Sequence, residues 1–287
     1  MSASIAVPFG SAPAGPPISP DTFNTIAGLA KTRAGIVLTP DKGYMLDTRL
    51  ATILRRDNLP NLNALAQKLR GPGAEPLMKD VVEALTTNES SFFRDGKPFE
   101  HVARIVPALH AKRPPGQKIR IWSAACSTGQ EAYSLAILLS ELGLANRPFE
   151  IFGTDLSREV VERAREGLFT RFEVQRGLAV QRLVKHFAQE GAAFRIKPVL
   201  RAACRFEERN LLGEHRALGQ FDLIFCRNVL IYFDMPTKAK VLGALAAQLA
   251  PDGALYLGGA ETVMGLTDRL VPLPGERGVY GPVGKAG

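Results

Sequence analysis

Apolar residues change their spacing along the chain at about residue 118. Before this point they recur every three or four positions, as Leu46, Leu50 and Ile53 do within the segment 44–56, which is typical of one face of a helix. After it, short continuous apolar runs alternate with segments of helical periodicity, as expected for buried strands joined by helices. The pattern therefore predicts an N-terminal all-α unit and then an α/β unit whose mostly parallel sheet is covered on both faces.

Turn residues divide the N-terminal unit into four predicted helices. Asp21 is the expected N-cap of the first helix, and Gly71-Pro72-Gly73 separates the last two. The predicted helices span about 21–33, 44–56, 62–69 and 76–85. Residues 1–20 are rich in Pro, Ala, Gly and Ser, and we expect a disordered tail there without the basic segment of a signal peptide.

The α/β unit begins with a buried strand and continues as alternating strands and helices. The predicted strands are Ile119–Trp122, Glu150–Phe152, Cys204–Glu207, Asp222–Cys226 and Ala254–Leu257. The predicted helices are Glu131–Leu142, Arg158–Glu166 with Ser157 as its N-cap, and Pro236–Leu249 with proline in its first turn. Near the C-terminus, Arg269–Pro272 and Val279–Tyr280 flank two glycines, which predicts an antiparallel hairpin at the sheet edge.

The second and third predicted strands lie about fifty residues apart, whereas a strand–helix–strand unit needs roughly thirty. We therefore expect an inserted subdomain at about 169–203, with a helix near Val180–Phe187 and short strands around Phe194–Leu200. The resulting domain prediction is a helical domain at 21–86, a connector at 87–105 that contributes to the active site, and an α/β domain at 106–287.

Net charge indicates possible partners, and cysteine content indicates the cellular compartment. The net charge is +8, and the stretch 171–205 holds eight basic residues against two acidic ones. An acidic partner, protein or nucleic acid, is a natural expectation, although a solvated basic surface explains the charge nearly as well. The three cysteines are unclustered, as in a cytoplasmic protein with reduced thiols, and no apolar run reaches the roughly 20 residues that cross a bilayer. We expect a cytoplasmic protein without membrane insertion or a metal site.

The loop after the first predicted strand has the composition of a ligand-binding turn. Residues Ser123–Gly129 are mostly small, so a ligand can approach the backbone, and the helix that follows offers unpaired N–H groups. Only Gly129 is a glycine, whereas a dinucleotide-binding fingerprint has three. A less anionic ligand such as S-adenosylmethionine (SAM) suits this loop better.

Polar side chains follow the other predicted strands at the same edge. Because ligands bind beyond the carboxyl ends of strands in open α/β sheets, these are candidate site residues. Asp155, after the second strand, stands where a carboxylate commonly accepts hydrogen bonds from ribose hydroxyls. The other candidates are Asn88, Ser90 and Arg94 before the first strand, Glu131 after it, Asn210 and Leu211 after the third, and Arg227, Asn228 and Tyr232 after the fourth.

The same residues also have purely structural interpretations, which spacing alone leaves open. Glu131 could form a capping box with Thr128, and Asp155 and Asn210 could each belong to a turn. Tyr232 and Phe233 could be packing residues, and Ser90–Arg94 could be a linker with a buried Phe pair. The functional interpretation gains weight because several of the polar residues fall at corresponding strand ends.

Six stretches, in this order along the chain, match one known family. They are TNESSFFRD at 87–95, IWSAACSTGQEAYS at 121–134, FGTDLS at 152–157, ERNLL at 208–212, FDLIFCRNVLIYF at 221–233 and LAPDGALYLGGAE at 249–261. On these motifs the chain resembles the CheR-type chemoreceptor glutamate O-methyltransferases, SAM-dependent enzymes of bacterial chemosensory pathways, over about residues 21–283. The resemblance implies a Rossmann-like SAM-binding sheet, an N-terminal all-α domain and a small inserted β-subdomain.

The resemblance also implies a role for each candidate residue. At the amino-acid end of SAM and its methyl group would lie Asn88, Ser90 and Arg94, with Tyr232 near the transferring methyl. Glu131 would lie near the amino-acid and sugar portion, and Asp155 would bind the ribose hydroxyls. The adenine would be contacted by Asn210 and Leu211, and the closed side of the pocket would be formed by Arg227 and Asn228. Arg94 and Tyr232 are the expected catalytic residues. The turn Gly258–Glu261 departs from a frequent Gly-His-Ser-Glu, so no site role is assigned there.

The implied reaction fits the side chains present. A receptor glutamate, with an ordinary pKa of about 4.3, is already ionised at neutral pH, so attack on the sulfonium methyl requires no general base. The products would be a glutamate methyl ester and S-adenosylhomocysteine. One alternative is a nucleic-acid methyltransferase, which commonly has prolines where this chain has Asn228–Tyr232. Another is a non-catalytic SAM-binding module that docks on receptors.

Partner contacts are predicted at two places. Arg49, Arg55 and Arg56 on one helix face are candidates to meet the acidic cytoplasmic helices of a chemoreceptor, and a monomer is expected. In some members of the family the inserted subdomain adds a receptor's C-terminal peptide as an extra strand. Because the turn Ala188–Ala193 reads as short, we expect this chain to act independently of such a tail.

Overall fold

The computed structural model describes residues 18–143 and 148–284, so most of the predicted tail at 1–20 lies outside the described residues. Contacts group the chain into two compact units. Of the described residues, one unit holds 18–33 and 38–85, and the other holds 34–37, 86–143 and 148–284. None of the helices in the described ranges has the length and apolar content needed to cross a membrane.

The first unit is all-α, as predicted. Its helices are α1 (Pro20–Ala34), α2 (Tyr44–Arg56), α3 (Leu62–Leu69) and α4 (Glu75–Leu85). The predicted N-cap of α1 was wrong: the Ser19 hydroxyl accepts the Thr22 N–H at 3.1 Å, while Asp21 lies in the first turn and pairs with Arg70 at 2.7 Å. Pro20 explains the shift, because proline is favoured at the first helical position and places the cap one residue before it.

The second unit is an α/β fold. Its elements are α5 (Lys97–Lys112), β1 (Ile119–Ala124), α6 (Gln130–Glu141), β2 (Phe149–Asp155), α7 (Arg158–Glu166), β3 (Leu168–Thr170), α8 (Arg171–Gln175), α9 (Val180–His186), β4 (Phe187–Glu190), β5 (Ala193–Ile196), α10 (Pro198–Ala202), β6 (Cys204–Glu208), β7 (Phe221–Cys226), α11 (Met235–Gln248), β8 (Leu249–Leu257), β9 (Leu270–Pro272) and β10 (Val279–Pro282). The range 87–105, expected as a connector, is already helical from Lys97.

Seven strands form the main sheet in the order β6-β2-β1-β7-β8-β10-β9. The strands from β6 to β8 are parallel, and β10 and β9 form the predicted antiparallel hairpin at one side. The chain goes from β1 to β2 and β6 in one direction and places β7 and β8 on the other side of β1. The crevice where ligands bind in such sheets therefore lies at the carboxyl ends of β1 and β7.

Alternate residues of β1 pack into two apolar layers. Ile121 joins the layer that contains Leu135 of α6, and Trp122 joins the layer that contains Leu242 of α11. Trp122 is fully buried, and its indole N–H donates to the Thr154 hydroxyl at 2.9 Å. Burial on both faces explains why the strands read as continuous apolar runs.

The inserted segment forms a second sheet in the order β3-β5-β4. The sequence prediction was wrong in two details: Ala188–Glu190, expected in a turn, belongs to strand β4, and Pro198–Ala202 is a helix rather than a strand. In β4 only Phe187 is buried, so the strand has no alternating apolar pattern by which to recognise it.

Candidate functional site

Strained backbone marks the carboxyl edge of the main sheet. Among the described residues, six non-glycine residues have positive φ, and five of them lie at this edge: Phe93, Asp95, Ala125, Ser127 and Asn228. Such conformations cost free energy in residues with a Cβ and cluster at ligand and active sites. The three chain segments involved are the connector before α5, the β1–α6 loop and the loop after β7.

Asp155 ends β2 beside the β1–α6 loop and is buried. One carboxylate oxygen accepts the Ser157 N–H at 3.1 Å, as the turn interpretation requires. The other accepts the Ser127 N–H at 2.8 Å, which a local turn does not explain. Asp155 therefore also fixes the strained loop in the place where the sequence predicts a ligand.

Glu131 links two strand ends and forms no capping box. Its Oε1 accepts from the Ser123 hydroxyl at 2.7 Å, and its Oε2 accepts from Arg227 at 3.0 Å. Gly129 is the N-cap residue of α6, with φ of 94°. A Cβ at Gly129 would lie 3.1 Å from the Cβ of Ala164, so glycine suits both the conformation and the packing.

Arg227 ties the first turn of α6 to the connector. Its side chain is 3% exposed. Nη2 donates to the Arg94 carbonyl at 2.9 Å and to the Asp95 carboxylate at 2.6 Å, while Nη1 holds Glu131. The buried Nε–H has no partner among the described residues, which is the situation expected beside a ligand site.

The connector is anchored at several points: the Phe92 side chain packs in the core, and the Phe93 backbone forms a hydrogen bond. Phe92 is fully buried and packs edge-on against Phe169, with ring centroids 5.0 Å apart, as the linker interpretation expected. The Phe93 N–H donates to the Ser134 hydroxyl at 2.9 Å, and the Ser127 hydroxyl donates to the Asn88 carbonyl at 2.7 Å. These anchors leave Asn88 exposed and Ser90 and Arg94 half-buried at the sheet edge.

The candidates after β6 and β7 have mixed roles. The Asn210 side chain accepts the Leu212 N–H at 2.9 Å, so its turn interpretation is correct, and Leu211 is half-buried beside it. Phe233 is buried, and Tyr232 is half-buried and packs against the same apolar layer, so packing describes both residues. Asn228 directly follows Arg227 and has φ of 59°.

Cys126 lies buried in the β1–α6 loop. Burial and the nearby Asp155 and Glu131 carboxylates raise the pKa of its thiol well above the ordinary value. Burial also raises the pKa of the Cys204 and Cys226 thiols, and all three cysteines are free. The site therefore lacks a reactive thiolate.

Sequence reasoning missed Glu261, which lies beyond β8 at the same edge. Its carboxylate accepts backbone N–H bonds from Gly258, Asn228, Val229 and Ile231 at 2.6 to 3.3 Å. The sequence does carry a signal, because Glu261 ends the matched stretch at 249–261 and retains the glutamate of the frequent Gly-His-Ser-Glu turn, although no site role was assigned there.

A cavity of about 260 Å³ adjoins this edge at the N-terminus of α6. Of the candidate residues, Asn88 and Ser90 line it, and Glu131, Asp155 and Arg227 do not. Its rim carries two ion pairs, Glu89–Arg176 at 2.7 Å and Arg163–Glu173 at 2.8 Å. The cavity thus borders the cluster built around Arg227 and does not contain it.

The arrangement fits SAM by chemistry. Asp155 and Asn210 lie at the carboxyl ends of neighbouring parallel strands, the edge at which ligands bind in such sheets, and the small residues of the β1–α6 loop let a ligand approach the backbone. The unpartnered N–H of Arg227 supplies a further buried donor. No general base is evident among these groups, and transfer of a methyl to an ionised carboxylate needs none.

Comparison with known proteins gives a consistent result. The family model described as "CheR methyltransferase, SAM binding domain" matches residues 88–279, and "CheR methyltransferase, all-alpha domain" matches residues 21–86.

Curated relatives of similar length carry chemotaxis names. The chain is 39% identical over 247 residues to chemotaxis protein methyltransferase 1 of Pseudomonas aeruginosa, covering 84% of this chain and 89% of the relative. It is 37% identical over 240 residues to chemotaxis protein methyltransferase Cher2 of Pseudomonas putida, covering 82% and 87%. Identity to the chemotaxis protein methyltransferase of Escherichia coli is 36% over 255 residues, covering 86% of each chain.

Proposed function

Because this chain belongs to the CheR methyltransferase family, we propose that it transfers the methyl group of SAM to glutamate side chains on the cytoplasmic part of chemoreceptors. It is a SAM-dependent methyltransferase, and its products are a glutamate methyl ester and S-adenosylhomocysteine. The observation that carries the proposal is the match of both family models, with the strained loops and the Arg227 cluster meeting at the sheet edge where such a donor binds.

When bound, SAM supplies an electrophilic methyl group on a positively charged sulfur. The work left to the protein is alignment of the two reactants and exclusion of water, because the acceptor carboxylate is already ionised. Arg227 contributes by holding the connector against α6 through Asp95 and Glu131. We propose that Arg94 orients the incoming carboxylate and that Tyr232 stands close to the reacting methyl.

The remaining assignments follow the same edge. Asp155 would accept hydrogen bonds from the ribose hydroxyls, since its carboxylate lies between the β1–α6 loop and α7. The residues proposed to contact other parts of the donor are Asn88 and Ser90 at the amino-acid end, Glu131 at the amino-acid and sugar portion, Asn210 and Leu211 at the adenine, and Arg227 and Asn228 at the closed side.

Local charge pairing changes the expected receptor contacts. On α2, Arg49 donates to the Leu85 carbonyl at 2.8 Å and Arg56 pairs with Asp57 and Asp80, so both are engaged within the helical unit. Arg55 is exposed and best placed to meet an acidic helix. In the stretch 171–205, four of the eight basic side chains pair with carboxylates, which weakens the argument for an acidic partner there.

Independence from a receptor tail stays a prediction, although the segment 188–193 that motivated it is a hairpin, with strands β4 and β5 joined by a turn at residues 191–192. Residues Phe187–Glu190 form an edge strand of the inserted sheet, the type of surface to which an extended peptide can add. A binding assay with a receptor C-terminal peptide checks the prediction, and micromolar affinity would contradict it.

The function is tested by incubating the full chain with methyl-labelled SAM and receptor cytoplasmic fragments. We expect alkali-labile label on the fragment, and loss of that label when the acceptor glutamates are replaced by glutamine. Label on added DNA or RNA, with salt-sensitive binding, would instead support the nucleic-acid alternative. The absence of proline from Asn228–Tyr232 argues against that alternative.

A further inference from the structure

Glu261 has an unusual set of partners for a buried carboxylate. The residue is 9% exposed, and the described part of the chain offers it backbone N–H groups and no cationic side chain. Oε2 accepts from Gly258 at 2.6 Å and Asn228 at 2.9 Å, and Oε1 accepts from Val229 at 2.9 Å and Ile231 at 3.3 Å. A carboxylate that receives this many N–H bonds fixes the path of the backbone that donates them.

Three of the four donors belong to the loop after β7. This loop begins at Asn228, whose φ of 59° is costly for a residue with a Cβ, and it continues to Tyr232. Glu261 compensates this strain from a different element, the segment after β8. The loop therefore has its observed path because of an interaction that spans about thirty residues of sequence, since Glu261 lies 30 to 33 residues beyond its three donors there.

Gly258 shows how closely the two segments approach. A Cβ at this position would lie 2.7 Å from Oε2 of Glu261 and 2.9 Å from the Asn228 nitrogen. The neighbouring Gly259 has no atom within 4 Å of the equivalent point. A methyl group at position 258 would therefore push the Glu261 carboxylate away from the N–H groups that it accepts from.

We propose that Glu261 is a positioning residue for methyl transfer, which sets the loop 228–232 so that Asn228 and Tyr232 face the bound donor. The inference rests on the proposed function, because it assigns Glu261 a role in that same reaction. Glu261 itself touches the backbone of the loop and acts through the residues that the loop carries.

Two variants perturb this contact in different ways. E261Q keeps the size of the side chain but replaces one oxygen, which accepts two N–H bonds, with an NH₂ group that cannot accept. G258A leaves the carboxylate in place and inserts a methyl group into the contact. Should E261Q fail to fold, G258A still tests the proposal, because Gly258 has no positive φ to lose.

Each variant has a matched control. D222N alters a carboxylate of similar burial, 6% exposed, at the opposite end of β7, where it accepts from Arg113 and from the Arg120 N–H. G259A adds the same methyl group one residue from Gly258 in open space. Both controls therefore keep the loop after β7 in place.

We expect E261Q and G258A to lower kcat for receptor methylation by about 10- to 100-fold, the effect of a displacement of roughly 1 Å at a reacting group. The affinity for S-adenosylhomocysteine should fall less than kcat, because Glu131 and Asp155 belong to other elements. D222N and G259A should keep kcat within about twofold of the wild type, even where D222N lowers the unfolding midpoint.

Kinetics of E261Q and G258A that match those of their controls would overturn the proposal, as would a kcat loss that parallels unfolding across all four variants. A wild-type chain that methylates no receptor fragment would instead refute the proposed function, so the two failures are distinguishable.

Discussion

Gly177→Ala tests whether the inserted subdomain fixes the connector. Gly177 follows α8, has φ of 87°, and lies against the connector so closely that a Cβ would be 1.9 Å from the Phe92 carbonyl oxygen. Contacts of a Cβ at less than 3.0 Å essentially never occur, so one of the two backbones must retreat by about 1 Å. Phe92 is buried between Phe169 and Phe187 and cannot move alone.

The expected loss of unfolding free energy in G177A has two parts. Alanine in the left-handed region costs roughly 1–2 kcal/mol, and overpacking a filled site adds about 1–3 kcal/mol. Gly191 is a matched control, because it has φ of 59° in the β4–β5 turn and no atom within 4 Å of its Cβ point. We therefore expect G191A to lose about 1–2 kcal/mol of unfolding free energy, and G177A about 2–5 kcal/mol.

The activity result is the more informative one. Ser90 and Arg94 lie two residues on either side of Phe92, so a shift of about 1 Å in the connector should lower kcat for receptor methylation by up to about 100-fold. Urea denaturation and methyl transfer at a temperature where both variants are folded measure the two effects. Equal kcat for G177A and G191A would refute the reasoning, because the connector would then not depend on the subdomain.

Two further predictions concern the reaction and the pH dependence of stability. R94A and Y232F should each lower turnover at least about tenfold with the fold intact, and unchanged turnover would remove that residue from the mechanism. The hydrogen bond from Arg113 lowers the pKa of Asp252 below its ordinary value, despite opposing desolvation. The pair therefore stabilises the fold above the unfolded-state pKa and loses this contribution as pH falls through the lower folded-state pKa. Wild type should lose more unfolding free energy than D252N between about pH 5 and pH 3, and equal losses would contradict the assignment.

The sheet was predictable from sequence because its strands are buried on both faces. The predicted strands Ile119–Trp122 and Asp222–Cys226 stand out as apolar runs bounded by turn residues, and Glu131, Asp155 and Arg227 lie near the carboxyl edge of the sheet that these strands form. Strand β4 was missed for the opposite reason, since Phe187 alone of its residues is buried.

The spacing of the polar residues along the sequence could not distinguish a structural role from a functional one. The capping-box interpretation of Glu131 has the correct local pattern, but Gly129 rather than Thr128 is the N-cap residue, and the Glu131 carboxylate accepts from Ser123 and from Arg227, 96 residues away. Asp155 forms the predicted turn contact with Ser157 and a second contact with Ser127, which the turn does not explain, and its contact with ribose stays a prediction. Glu261 ends one of the matched stretches, but its contacts could not be predicted, because its backbone donors at 228–231 are distant in sequence and have no side-chain signature.

Calorimetric titration of the full chain with S-adenosylhomocysteine tests most directly the claim that this sheet edge holds the methyl donor. We expect measurable binding by the wild type and by G259A. D155N and E131Q should weaken the binding about tenfold or more, the loss expected for hydrogen bonds to a charged group. Absence of heat with both SAM and S-adenosylhomocysteine, or equal affinity in all four proteins, would contradict the claim.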